Sequence, residues 1–180
     1  MLETDGRPVW LLDYDGVLNA LAPHGDTKVW SEWKVQGKGS NPDSIPWHLW
    51  APEAVKVVAE AHAAGVRVIW LTTWMEMTQR LHETITELPA GLEFLTDHGA
   101  GSVGPSRHWK ANAAMMTVPY GVPLLWTDDD LNRRLVREKA VKEWLASRGD
   151  TTLMCPRKEH GLTPEHVTKI REWIAVHTPR

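Results

Sequence analysis

Short apolar runs that stop abruptly at acids or hydroxyls set the tightest limit on what this chain can fold into. Val9 to Leu12 runs into Asp13, Val66 to Leu71 into Thr72 and Thr73, and Leu124 to Trp126 into Thr127 and Asp128. A run that is apolar at successive positions, broken only by Arg67, is buried on both faces, which is the condition of a strand inside a parallel sheet. Helical patterns fill the intervals. Pro52 to Ala64 carries Val55, Val58, Ala59 and His62 at helical spacing, with Pro52 in the first turn and Gly65 just past the end. Further helices are expected from about Met75 to Leu88, from Trp109 to about Met116, from Leu131 to Ala146, and from Pro164 onward behind Thr163 as N-cap. Leu92 to Leu95 and Thr152 to Met154 supply short additional strands. Strands alternating with helices imply an α/β fold, a Rossmann-like parallel sheet with helices on both faces.

The chain has 180 residues, which suits one domain spanning 1–180. Within it, residues 17–50 read as an inserted flap: Val29 to Val35 and Ile45 to Leu49 have extended character and flank the turn-like Gly37 to Ser44. A net charge of −3 with interspersed signs argues against sequence-independent binding along nucleic acid driven by overall charge. The single cysteine, Cys155, leaves no internal disulfide framework and suits a reducing compartment. Neither a signal peptide nor a membrane-spanning run is indicated, so the expected location is cytoplasmic with no membrane partner. Eleven Trp stand against one Phe and two Tyr, and core packing is the expected use of most of them.

In sheets of this kind ligands bind outside the carboxyl ends of the strands, so the residues that follow each apolar run matter most. Asp13-Tyr14-Asp15-Gly16 ends one strand and Asp128-Asp129-Asp130 another. Two acidic clusters brought to one sheet edge repel each other unless a cation lies between them. Oxygen ligands without Cys point to a hard ion such as Mg²⁺, which uses few carboxylates and keeps sites for water and substrate phosphate. Lys110, at the start of a helix after a Gly-rich loop, adds a positive charge where an anion would sit. Metal, Lys and Thr hydroxyls beside a carboxylate that can attack phosphorus point to phosphoryl chemistry.

These residues resemble the haloacid dehalogenase (HAD) superfamily of phosphohydrolases. Its first motif is matched by Trp10-Leu11-Leu12-Asp13-Tyr14-Asp15-Gly16-Val17-Leu18-Asn19, its second by Ile69-Trp70-Leu71-Thr72, its third by Lys110, and its fourth by Leu124-Leu125-Trp126-Thr127-Asp128-Asp129. The resemblance implies that Asp13 attacks phosphorus and ligates Mg²⁺. It implies that Asp15 protonates the leaving group, then activates water, and lends its backbone carbonyl to the metal. Thr72 would hold phosphoryl oxygens, with Thr73 as the second choice; Lys110 would neutralise charge; Asp128 and Asp129 would complete the metal site, with Asp130 as the second choice. The flap and the stretch Gly161 to His166 are similar to a narrower group, the small HAD domains associated with Swiss Army Knife RNA repair proteins.

There is no room for a folded cap domain between Thr73 and Lys110, so the chain looks capless, with only the flap. The resemblance then implies an exposed phosphate as substrate, such as a nucleic-acid end or a nucleotide. Trp30, Trp33, Trp47 and Trp50, with Lys28, Lys34 and Lys38, are the rings and cations that a base and its phosphates would use. Alternation along an extended flap strand would put Trp33 opposite Trp30. His108, just before Lys110, is a further candidate contact. A small-metabolite phosphatase and a non-catalytic module that binds phosphate ends are the alternatives. Gly99 to Gly104 also spells a dinucleotide fingerprint, but Pro105 falls where its phosphate-binding helix should be under way, and that reading leaves Asp13, Asp15 and Thr72 unused.

Overall fold

The first strand, β1 (Val9–Leu12), is buried at every residue and forms the middle of the sheet. In the computed structural model, residues 6–37, 41, 43–97, 109–131 and 137–178 are described. After β1 come β2 (Lys34–Gln36) and β3 (His48–Trp50), α1 (Pro52–Ala63) and β4 (Arg67–Trp70). A 3₁₀ helix (Met75–Arg80), a single turn α2 (Leu81–Thr84) and β5 (Glu93–Phe94) follow. The chain continues through α3 (Trp109–Thr117), β6 (Leu124–Thr127), α4 (Lys139–Arg148), β7 (Thr151–Met154) and α5 (Pro164–His177). The main sheet has the order β5-β4-β1-β6-β7, and each neighbouring pair is parallel.

Period-two alternation divides each apolar run between two cores. Trp10, Leu12, Val68, Trp70 and Leu125 pack under α1 and α5 with Val55, Val58, Ile170 and Trp173. Val9, Leu11, Ile69, Leu71, Leu124 and Trp126 face α3 and α4 with Ala114, Val141 and Trp144. Arg67, the polar interruption in β4, opens that strand and turns its guanidinium to Glu93, its Nε donating at 2.7 Å. Among the described residues no helix is long and apolar enough to cross a membrane.

Three expected elements differ. The helix anticipated from Met75 to Leu88 is a 3₁₀ segment plus one α turn. There Thr78 Oγ1 donates to the Met75 carbonyl at 2.6 Å, engaging an oxygen that an α-helix would use, and the β-branched run Thr84-Ile85-Thr86 disfavours continuation. Of the helix anticipated from Leu131 to Ala146, α4 runs from Lys139 behind Glu138 with extended ψ of 139°, and 132–136 lie outside the described residues. The flap is an antiparallel hairpin, pairing Lys34 with Trp50 and Gln36 with His48, but its first strand is shorter than Val29 to Val35. Asp26 curls the preceding segment, its carboxylate accepting Lys28 N–H at 2.9 Å and its carbonyl accepting Val29 and Trp30 N–H at 3.0 and 3.1 Å. Trp30 and Trp33 thus precede the strand, strand alternation does not apply to them, and both pack on the α1/α5 core. The fingerprint Gly99 to Gly104 and His108 lie outside the described residues, as does Lys38.

Candidate active site

Parallel pairing brings the strand ends to one edge. Leu71 N–H donates to Leu12 carbonyl at 2.8 Å, Asp13 N–H to Thr127 carbonyl at 3.0 Å, and Asp128 N–H to Met154 carbonyl at 3.1 Å. Asp13, Thr72 and Asp128 therefore leave adjacent strands side by side, at the carboxyl edge where the run endings placed them. All three are buried.

Asp13 is held at both oxygens: Oδ1 accepts the Tyr14 N–H at 2.8 Å, and Oδ2 accepts Lys110 Nζ at 2.6 Å. Lys110, the second residue of α3, also donates to Asp128 Oδ2 at 2.8 Å. One ammonium thus serves two buried carboxylates. Asp128 Oδ1 takes the Asp130 N–H at 2.8 Å, so the acidic triplet is folded into a tight turn. Oxygens of Asp13, Asp128 and Asp129 lie within 4.8 Å of one another, and Asp130 is not in that group. Gly16 makes the approach feasible: its φ is +74°, and a Cβ there would lie 2.6 Å from the Asp129 carboxyl carbon.

Burial, with Asp128 nearby, pushes the Asp13 carboxyl well above the usual carboxylate range despite Lys110. Burial and the charges of Asp128 and Asp130 raise Asp129 to about 6. Lys110 is raised in turn by Asp13 and Asp128, whose charges outweigh its burial. Three carboxylates whose oxygens lie within 4.8 Å of one another, two of them bonded to one ammonium, are a donor set that suits a hard divalent cation such as Mg²⁺. The sign of the pH effect follows. An acid whose folded pKa is raised binds more protons folded than unfolded, so its contribution to stability falls as pH rises from its ordinary value of 3.8 through the folded one. Metal-free protein is therefore expected to lose stability from about pH 4 through about pH 6 and on through the titration of Asp13, and Mg²⁺ to stabilise it more at the upper end. Thermal melts in chelator and in Mg²⁺ across that range check this; equal Mg²⁺ effects at both ends would refute it.

Asp15 stands apart from the three-carboxylate group. Its Oδ1 accepts Asn19 Nδ2 at 2.7 Å and its Oδ2 accepts the Trp74 indole N–H at 2.8 Å. One donor on each oxygen fixes the carboxyl and leaves a lone pair on each for a proton or water. Asn19 is itself locked, its Oδ1 accepting Leu49 N–H at 2.8 Å and its Nδ2 reaching Trp47 carbonyl at 3.1 Å. The flap is thereby tied to Asp15. Tyr14, fully buried, bonds His48 Nδ1 at 2.6 Å. Burial raises the Tyr14 hydroxyl and lowers His48, so the bond joins a neutral phenol to a neutral imidazole, its direction set by the tautomer of His48.

Of the doubled threonines, Thr72 is buried and its Oγ1 accepts Trp74 N–H at 3.4 Å, whereas Thr73 is exposed. Trp30 donates its indole N–H to Leu162 carbonyl at 2.8 Å and Trp33 to Asp26 carbonyl at 3.1 Å, so both are engaged in seating the flap. Trp47, 73% exposed, is available to a ligand. Lys34 is paired with Glu87. Sequence reasoning missed Trp74, Asn19, Tyr14 and His48. The one available signal was adjacency, since Asn19 closes the first motif and Trp74 follows Thr72-Thr73.

No family model and no curated protein matches the chain. Solved structures do. The HAD domain of effector protein Lem4 from Legionella pneumophila, as an inactive mutant, matches with a TM-score of 0.58 at 12% identity, over 96% of this chain and 95% of that one. A second structure of that HAD domain matches with a TM-score of 0.56 at 13% identity, over 97% and 98%. With its parallel five-stranded sheet, two helical layers and a hairpin flap, the chain folds as a HAD-like domain.

Proposed function

We propose that the protein is a Mg²⁺-dependent phosphatase acting through an aspartyl-phosphate on Asp13, and that it removes a terminal phosphate from a nucleic acid or nucleotide. The observation that carries this reading is the pairing of two differently held carboxylates. Asp13 is fixed by Lys110 at 2.6 Å within a cluster of acids, and Asp15, two residues on, is kept out of that cluster by Asn19 and Trp74. That division suits a nucleophile and a proton carrier.

Mg²⁺ held by Asp13, Asp128 and Asp129, with the Asp15 carbonyl, would supply positive charge against the phosphoryl oxygens. The rest falls to the protein. An Asp13 oxygen attacks phosphorus as the bond to the leaving oxygen breaks, and Asp15 delivers its proton to that oxygen. Asp15 then takes a proton from water, which attacks the same phosphorus; the bond to Asp13 breaks, and inorganic phosphate and the Asp13 carboxylate are restored. Lys110 and the Thr72 hydroxyl hold the phosphoryl oxygens throughout.

The Trp74 indole positions Asp15, so Trp74→Phe, which keeps a ring and deletes the N–H, is expected to cut kcat about tenfold on alkyl phosphates. The first-turnover burst of p-nitrophenol from p-nitrophenyl phosphate, whose leaving group needs no proton, should change far less. A burst slowed as much as alkyl phosphate cleavage would count against that role.

The nucleic-acid preference is supported by the absence of a cap among the described residues, by the exposed Trp47 on the flap, and by the narrower resemblance to domains associated with RNA repair proteins. The test is p-nitrophenyl phosphate hydrolysis with and without Mg²⁺, followed by 5′- and 3′-phosphorylated oligonucleotides, mononucleotides and sugar phosphates. Preference for sugar phosphates would favour a small-metabolite phosphatase, and binding of phosphorylated ends without turnover a binding module.

A further inference from the structure

Asp15 marks the side of the site from which the leaving group departs, because the proton it delivers must reach the leaving oxygen. A cleft begins one indole away. Trp74, whose N–H holds Asp15 Oδ2, also lines a cavity of about 230 Å³ together with His48, Met77, Arg80, Leu81 and Thr84. That volume lies below the roughly 300 Å³ at which pockets for drug-sized ligands begin, so it accommodates one planar group rather than a whole nucleotide.

The lining has the chemistry of a ring site. Trp74 and His48 lie side by side with centroids 5.5 Å apart, and Trp74 is braced from behind by Tyr14 at 5.2 Å, edge to face. His48 is kept neutral by burial and is fixed through Nδ1 by the Tyr14 hydroxyl, so this aromatic wall is set before anything binds. Met77 is 57% exposed, an unusual cost for a thioether on a surface and a polarizable contact for a ring. Arg80 and Glu83, which pair at 2.9 Å, and Thr84 also line the cleft, supplying donors and acceptors. A phenyl ring has no use for them. A nucleobase does.

We propose that the cleft lined by His48, Trp74, Met77, Arg80 and Thr84 binds the base of the nucleotide whose phosphate is placed at Asp13. The assignment deepens the proposed function and rests on it for the placement of the phosphate. Trp74 then joins two tasks, positioning the proton carrier and walling the base site, so a seated base and an aligned Asp15 go together.

The test reads binding, so that it does not depend on turnover. The Asp13→Asn protein is titrated by calorimetry, in Mg²⁺, with adenosine 5′-monophosphate, ribose 5-phosphate and phenyl phosphate. Stacking on an aromatic wall predicts that the base tightens Kd by about tenfold over ribose 5-phosphate. Thr84→Trp in the same background, which fills the cleft from the last residue of α2, is expected to abolish that advantage and leave ribose 5-phosphate unchanged. Met77→Ala, at an exposed position where folding is not at stake, should shrink it severalfold. Equal affinity for adenosine 5′-monophosphate and ribose 5-phosphate would overturn the proposal. So would an advantage that survives Thr84→Trp, or phenyl phosphate binding as tightly as the nucleotide. Base-dependent binding with no hydrolysis of any phosphate ester by the wild-type protein would instead uphold the cleft and refute the phosphatase reading.

Discussion

Asp13→Asn is expected to lower Mg²⁺-dependent hydrolysis of p-nitrophenyl phosphate by at least about 10³-fold, with the fold intact. The amide is nearly isosteric, and its oxygen can still accept the Tyr14 N–H that Oδ1 now takes at 2.8 Å. What it lacks is the anionic oxygen that attacks phosphorus. The substitution also relieves crowding, since Asp13 is a buried carboxylate whose ionisation is opposed by burial and by Asp128. The metal-free variant should therefore melt no lower than the wild type at neutral pH. A loss of activity accompanied by a large loss of stability would point to a structural role for Asp13 instead. Retention of even a tenth of the wild-type rate would remove it from the chemistry.

Lys110→Met should carry the second largest effect, on stability and activity together. The stem of Lys110 is retained while the charge that neutralises Asp13 and Asp128, at 2.6 and 2.8 Å, is lost. Removing one partner of a buried ion pair costs about 3 kcal/mol, because the remaining charge is left without compensation. Here two carboxylates are left. The cost exists only while they are ionised, so denaturation in chelator should show a larger deficit at about pH 8 than at about pH 5, where protonation of Asp13, whose carboxyl is raised by burial, removes one of the two charges. Mg²⁺ should recover part of the deficit at the higher pH. Activity should fall at least about 10²-fold even at saturating Mg²⁺, since Lys110 also faces the phosphoryl group in the proposed mechanism. A deficit independent of pH would mean that Lys110 matters through packing alone.

The parallel sheet was legible because burial on both faces leaves a signature that needs no partner to read. Val9 to Leu12, Val66 to Leu71 and Leu124 to Trp126 each became a strand of the main sheet, β1, β4 and β6, with Asp13, Thr72 and Asp128 at their ends. The α/β arrangement and the approach of Lys110 to the acids follow from that order. The flap was legible as a hairpin but not in its extent, because the Asp26 turn is made by one side chain bonding the backbone two residues on, a local choice that apolar pattern does not report. The helix after Thr73 failed for a similar reason: its apolar spacing fits a helix, and the bond from Thr78 to the Met75 carbonyl competes with one.

In the site, residues carrying charge at strand ends were found and those that hold them were not. Nothing in the spacing of Asn19 or Trp74 says that both reach Asp15; the contact depends on the carbonyl of Tyr14 gathering the N–H groups of Val17, Leu18 and Asn19 at 3.2, 3.0 and 2.9 Å, which turns the chain back on itself. The tryptophans show the same limit. Trp10, Trp70, Trp109, Trp126, Trp144 and Trp173 are buried as core residues, while Trp74 and Trp47 took positions that composition could not single out.

The central claim is that phosphorus passes through Asp13, and an Asp15→Asn protein tests it most directly. With p-nitrophenyl phosphate the first step needs no proton from residue 15, whereas the second has lost the base that activates water, so the phosphorylated protein should accumulate. Mass spectrometry of the acid-quenched, digested protein is predicted to find one added phosphoryl group on the peptide containing Asp13, removable by hydroxylamine as an acyl phosphate. Release of p-nitrophenol with an unmodified Asp13 peptide, or a phosphoryl group on another residue, would contradict the account.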